Sequence, residues 1–366
     1  MMLPTDTSFG IGFRRAGGTI LALIVVLSLT AAACTSDNAG EKHEGSASKQ
    51  VVLVTYESFA LPEEAAAEFH RRTGATIKVI KSGDASAMLT KGLLSAGSPE
   101  GDVIFGVDNF LATRALSGDL LDSVKVPAAA RISSDFKLGA GADDRLIPID
   151  HGEVCMNIDP SWFTQKGIAP PSTLEDLAAP EYKGLTVISS PVTSTPGIAF
   201  LVGTVEVFGD DGWQDYWKAL RANDVMVRPS WSDAYYTDYT VSGGDRPVVL
   251  SYASSPPAEV VFSEGKRTEP VSQVMTSSCV AQIEYAGLLK GAKNPELGAE
   301  LIRFMIDSDW QRDLPLSNFV YPVTDVELPE EFVKWAPPVK SPLRVPAETV
   351  DSMRDEWIEG WRQVME

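Results

Sequence analysis

The sequence predicts an α/β fold of two lobes, each a mostly parallel sheet flanked by helices, hinged by crossover strands. Three observations carry this expectation. Apolar strand runs alternate with helical stretches in two successive sets, the body from about Val51 to Glu366 is longer than one ordinary core, and two further strands join the sets.

The first set opens with Val51-Val52-Leu53-Val54-Thr55-Tyr56, a buried strand by its continuous β-branched run. Helical spacing follows over 62–72, with Pro62 in the first turn and Gly74 as the stop. Residues 76–80 read as a strand, 85–94 as a helix and 102–107 as the third strand. The second set has strands at 185–189, 225–227 and 247–251, and helices at 196–208, 213–222 and 232–241. Residues 154–158 enter it as a strand and 280–285 leave it as another, with Cys155 in the first and Cys279 directly before the second. Helices return over 295–306, 309–314 and 347–364. Lobe 1 is therefore expected from 51–153 and 286–366, and lobe 2 from 154–285.

The segment ahead of the body points outside the cytoplasm. Arg14 and Arg15 precede an uncharged apolar run over 20–29, and Thr30-Ala31-Ala32-Ala33-Cys34 follows. A basic start, a short apolar core and small residues make a secretory signal over 1–33, too short to span a bilayer. The cysteine at its end resembles a bacterial lipobox, which implies cleavage before Cys34 and a lipid on its thiol; an ordinary secreted protein with a cysteine near the cut is the alternative. Residues 34–50 are small, polar and charged, a flexible linker that would tether the body to the outer face of the membrane.

Fifty acidic against 31 basic residues leave a net charge of −19, which argues against nucleic acid and anionic lipid as partners. With Cys34 lipidated, Cys155 and Cys279 remain as an even pair in an oxidising compartment, so a disulfide between them is expected, two buried thiols being the alternative. His43, His70 and His151 have no zinc-like spacing, and no metal site or cofactor is expected.

Ligands of parallel sheets bind beyond the carboxyl ends of the strands. That rule points to Tyr56-Glu57-Ser58-Phe59, Ser82-Gly83-Asp84 and Asp108-Asn109. Ser194-Thr195-Pro196-Gly197 lies between a strand and a helix and leaves free N–H groups at a helix start, suited to an anion or simply to capping. Trp231-Ser232-Asp233-Ala234-Tyr235-Tyr236 begins a helix, with Ser232 or Asp233 near its cap and aromatics that could wall a pocket. Leu250-Ser251-Tyr252-Ala253-Ser254-Ser255-Pro256-Pro257 is a second hydroxyl-rich turn before a Pro-started helix, and Asn318-Phe319-Val320-Tyr321-Pro322-Val323 suits packing or a lid. No nucleophile elbow, P-loop, HExxH or dinucleotide fingerprint occurs. An enzyme is not expected; a hydrolase assembled from scattered acids is the competing reading.

At these residues the chain resembles periplasmic solute-binding proteins of ABC importers, most closely the thiamine-binding branch. The matching pieces are Thr55 to Phe59, Gly106-Val107-Asp108-Asn109, Thr193 to Gly197, Trp231 to Tyr235, Leu250-Ser251-Tyr252 with Ser255-Pro256, and Asn318 to Val323. The resemblance implies a type II periplasmic-binding-protein fold that closes over thiamine or its phosphate esters for a permease and its ATPase; a monomer is expected. It places ligand contacts at Tyr56, Asp84, Ala85, Ser194, Thr195, Trp231 and Tyr252 through Ala253, Ser254, Ser255 and Pro256, with Tyr235 and Phe319 beside them. Ala258, Phe319 and Ala85 stand where the family more often has Tyr, Trp and Gly. A ferric or small-anion binder is the other reading, from the adjacent phenols of Tyr235 and Tyr236.

Overall fold

The computed structural model describes residues 49–139 and 141–366. The expected signal peptide, Cys34 and almost all of the expected linker lie outside the described residues. The linker's last two positions, Lys49 and Gln50, already belong to the first strand.

In chain order the first set is β1 (Lys49–Thr55), α1 (Glu63–Thr73), β2 (Ala75–Lys81), α2 (Ala85–Leu94), β3 (Val103–Asp108), α3 (Ala112–Ser117) and β4 (Leu121–Asp122). The long β5 (Ile147–Ile158) leads to α4 (Pro160–Lys166), α5 (Leu174–Leu177), β6 (Thr186–Ser189), α6 (Thr195–Ala222), β7 (Met226–Arg228), α7 (Trp231–Asp233), β8 (Val248–Tyr252) and α8 (Pro256–Val261). The longer β9 (Gln273–Leu289) returns to α9 (Pro295–Met305), α10 (Ser308–Ser317), β10 (Tyr321–Pro322), α11 (Glu330–Trp335) and α12 (Ala347–Met365).

The strands run in the order β2-β1-β3-β9-β5-β8-β6-β7. The outer trios are parallel, and the central β9–β5 pair is antiparallel and runs through both halves. This is the expected hinge, but its strands extend well beyond 154–158 and 280–285. Asp150, His151, Gly152 and Glu153 on one, and Thr276, Ser277 and Ser278 on the other, interrupt the apolar pattern that marks a strand in sequence. Their ladder slips between Val154 and Met156, where the partners jump from Val280 to Met275. Cys155 and Cys279 are bonded across that slip, and both are buried with Ala253.

Two large cores flank the hinge. Phe59, Phe69, Phe105, Leu301, Trp310 and Leu314 fill one side of the first half, so α9 and α10 pack into its core. The second half packs Phe163, Ile188, Leu201, Trp213 and Trp217 around α6, and Trp357, Ile358 and Trp361 of α12 belong to the same core. The expected placement of 286–366 in lobe 1 is therefore corrected at its end: α12 seats its apolar stripe on α6. The chain reaches it by crossing again beside β9, where Ala281 donates its N–H to Leu343 O at 2.8 Å and Leu343 donates to Cys279 O at 2.9 Å.

The expected pair 196–208 and 213–222 is present as the two helical arms of α6, which meet at a kink at Gly209 (φ 70°, ψ 173°). Another expected helix differs. The expected helix 232–241 is instead a short α-turn, a π-turn over Ala234–Asp238 and a 3₁₀ turn. Its cap is Ser230, not Ser232 or Asp233, and Arg228 pins its end through two hydrogen bonds to Asp238, 2.6 and 2.8 Å. That clamp sets the length of the segment and leaves room for a wide turn rather than a continued helix.

Candidate ligand-binding cleft

Between the halves lies a cavity of about 170 Å³, walled by the ends of β1 and β8, the starts of α2 and α6, the hinge strands, residues 231–236 and the loop 317–320. Tyr56 enters from the end of β1. Its ring occupies the space that a side chain on Gly106 would take: a Cβ there would stand 2.3 Å from the ring, and Gly106 itself has φ +99° at the irregularity between β3 and β9. The Tyr56 phenol donates to Glu284 Oε2 at 3.2 Å.

Asp84 caps α2 and reaches across the cleft. One oxygen accepts from the Ala85 N–H at 2.7 Å and the other from the Trp231 N–H at 3.2 Å. Burial raises its pKa, opposed by the Ser194 hydroxyl and these two N–H groups. On the facing side, Ser194 stands at the cap of α6 with its hydroxyl between Asp84 and Ser189 Oγ, 2.9 Å from the latter, instead of accepting from the helix. Thr195 Oγ1 is buried without a partner. Gly197 lets the helix start press on the end of β6, since a Cβ there would meet Ser190 O at 2.4 Å.

Aromatic rings form the wall. Trp231 stacks on Tyr235 at 4.9 Å and meets Tyr236 and Tyr252 edge-on at 5.3 and 6.3 Å. Its indole N–H donates to Ser251 Oγ at 2.9 Å, and Ser251 shares a 2.7 Å hydrogen bond with Ser255. At the mouth Ser254 donates to the carbonyl of Phe319 at 2.5 Å, which holds Phe319 in a left-handed conformation (φ 55°) against Phe262.

Carboxyl groups line the floor. Asp150 and Glu284 are direct partners in the β5–β9 register. Burial, then the charge of Asp108, pushes Glu284 up to about 8. Asp108 is pushed up to about 7 by burial, although it accepts from the N–H groups of Phe110 and Leu111. Asp150 is raised well above the carboxylate range by burial and by Glu284. Among the described residues that line the cleft there is no Lys, Arg or His.

The family model for bacterial extracellular solute-binding proteins matches residues 98–340. The chain belongs to this family. A solute-binding relative, the thiamine-binding periplasmic protein of Salmonella typhimurium, is 29% identical over 326 residues, covering 86% of this chain and 93% of its own. Among solved structures, a periplasmic thiamin binding protein is 26% identical, with a TM-score of 0.75 over 88% of this chain and 98% of that one. Iron-bound HitA from Pseudomonas aeruginosa shares the fold at 18% identity, with a TM-score of 0.66 over 86% and 99% of the two chains. The type II two-lobe architecture expected from the sequence is thus the architecture of these solute-binding proteins.

In this solute-binding fold the cleft gathers Tyr56, Asp84, Ala85, Thr195, Trp231, Tyr235, Tyr252, Ser255 and Phe319. Four expected residues stand behind it. Ser194 is buried against Ser189, Ala253 packs by the disulfide, Ser254 holds Phe319, and Pro256 is buried at the start of α8. Asp150, Gln282, Glu284 and Phe262 also line the cavity and were missed. A signal existed for three of them: polar residues set in the otherwise apolar hinge strands. Phe262 has none, because one exposed Phe after a short helix is an ordinary surface residue in sequence.

Proposed function

We propose that this solute-binding protein is a lipid-anchored carrier, not an enzyme, that captures thiamine or one of its phosphate esters between two lobes and delivers it to an ABC permease and its ATPase. The observation that carries this reading is an aromatic wall facing a floor of carboxyl groups with no basic side chain between them. Thiamine is a flat cation, which ring faces and carboxylates attract. The lobes of this proposal are 51–153 with 286–346, and 154–285 completed by α12.

Titration of the purified protein with thiamine and its mono- and diphosphate, followed by tryptophan fluorescence and calorimetry, tests it. Binding at micromolar levels with quenching of Trp231 is expected; no response to any of the three would sink the ligand assignment. The ferric reading would need further donors beside the adjacent phenols of Tyr235 and Tyr236, and among the described residues no three His, Cys, Asp or Glu side chains cluster as metal ligands. Absence of visible colour on adding ferric salt with phosphate is the expected control. For the anchor, a Cys34→Ser chain should lose fatty-acid label in cells, and retained label would refute lipidation at that residue.

A further inference from the structure

Two opposed carboxyls inside a sheet need an explanation. Like charges directly opposite on antiparallel strands destabilise a pair, and buried ones do so more. Asp150 is 1% exposed and Glu284 7%, and both line the cleft. No cationic side chain among the described residues lines the cleft beside them, and burial keeps them protonated instead. The groups that face the pair are the Tyr56 phenol after β1, Asp84 on α2, Asp108 on β3, Tyr252 on β8 and Gln282 on β9. None is cationic, and His151, next along β5, is stacked between Phe136 and Tyr321 and held neutral by burial.

The hydrogen bonds are unequal. Glu284 accepts from Tyr56 on one oxygen and from Gln282 Nε2 at 3.2 Å on the other. Asp150 has both oxygens buried with no N–H or hydroxyl donor, and its one polar neighbour is the Glu284 carboxyl, with which it can share a proton. A floor that only filled space would be met by amides or apolar groups, so the free acceptor capacity points to a partner absent from the chain.

We propose that Asp150 and Glu284 form a ligand subsite that reads the donor–acceptor edge of an aminopyrimidine, an exocyclic amine beside a ring nitrogen. This rests on the thiamine reading above. A carboxylate accepts from the amine, and a neighbouring carboxylic acid donates its O–H to the ring nitrogen. The attached cationic ring lies against the aromatic wall. Because Glu284 keeps its proton to about pH 8 in the empty cleft, entry of a cation at pH 7 expels one proton from the pair to the buffer and leaves the other for the ring nitrogen.

Calorimetry of the full chain, D150N and E284Q at pH 7, in two buffers of different ionisation heat, tests this with thiamine and with oxythiamine, whose oxo group replaces the amine. The wild-type chain should release about one proton on binding thiamine and bind oxythiamine at least tenfold more weakly. Each substitution should weaken thiamine at least tenfold and abolish most of the proton release, while ligand-free E284Q melts at the same temperature or higher. Unchanged thiamine affinity in both variants, or a lowered melting temperature with affinity intact, overturns the subsite and leaves the thiamine reading standing. Failure of the wild-type chain to bind thiamine removes that reading and the subsite together.

Discussion

Replacing Cys155 and Cys279 together by alanine should lower stability by an amount set by the chain they enclose. The bond joins residues 124 apart in sequence. Closing a loop of that length removes entropy from the unfolded chain worth about 4.9 kcal/mol at 25 °C. Unfolding entropy of about 2.1 cal/mol/K per residue, summed over the body, turns this into a fall of about 7 °C in melting temperature. Alanine suits the test because Cys155 is fully buried and Cys279 nearly so, and serine would bury an unpaired hydroxyl there. Urea and thermal melts of the oxidised protein, the reduced protein and the double variant supply the measurement. The reduced protein should melt close to the variant. A difference under 2 °C between oxidised protein and variant would refute the chain-entropy reasoning.

Three further outcomes are expected. Gly106→Ala should cost about 2–4 kcal/mol in urea melts, because its Cβ would strike the Tyr56 ring and its φ is +99°; ligand affinity should fall with it as Tyr56 leaves Glu284. Trp231→Phe keeps a ring but loses the indole bond to Ser251, so thiamine affinity by calorimetry should fall by about fivefold, the worth of one hydrogen bond of about 1 kcal/mol. The third concerns pH. Folded Asp108 and Glu284 hold protons to about 7 and about 8, whereas unfolded carboxyls lose theirs near 4. The folded state thus binds more protons in that window, and the stability contributed by these groups falls as pH rises from about 4 to 8. Melting temperatures of ligand-free E284Q should depend less steeply on pH across it than those of the parent; an equal slope refutes the assignment.

The alternation of strands and helices was legible because apolar periodicity is local, and β1, β2, α2, β3, β6, β8 and α9 lie within a residue or two of their expected bounds. The hinge strands were half-visible. Their polar middles serve the cleft, and a residue chosen for a ligand does not advertise a strand. The turn at Ala234–Asp238 was misread for a related reason: the clamp from Arg228 to Asp238 is a contact at fixed spacing that helical periodicity does not contain. Within the site, Tyr56, Asp84, Thr195, Trp231 and Tyr252 fell where strand ends and helix starts predict ligand contacts. Ala253 did not, because Tyr252 before it faces the cleft while it faces the disulfide. Adjacent residues at a turn share a place but not a direction.

The seat of α12 on α6 bears on when the molecule can finish folding. Trp357 and Trp361 complete the core that holds Trp213 and Trp217, and they are made more than a hundred residues after the helix they cover. During synthesis the second half therefore has an unfinished interior until nearly the whole body has emerged, whereas β1, β2 and β3 can begin to pair early. A chain arranged this way acquires its closed, two-sided form late, as a single event that waits on its last helix.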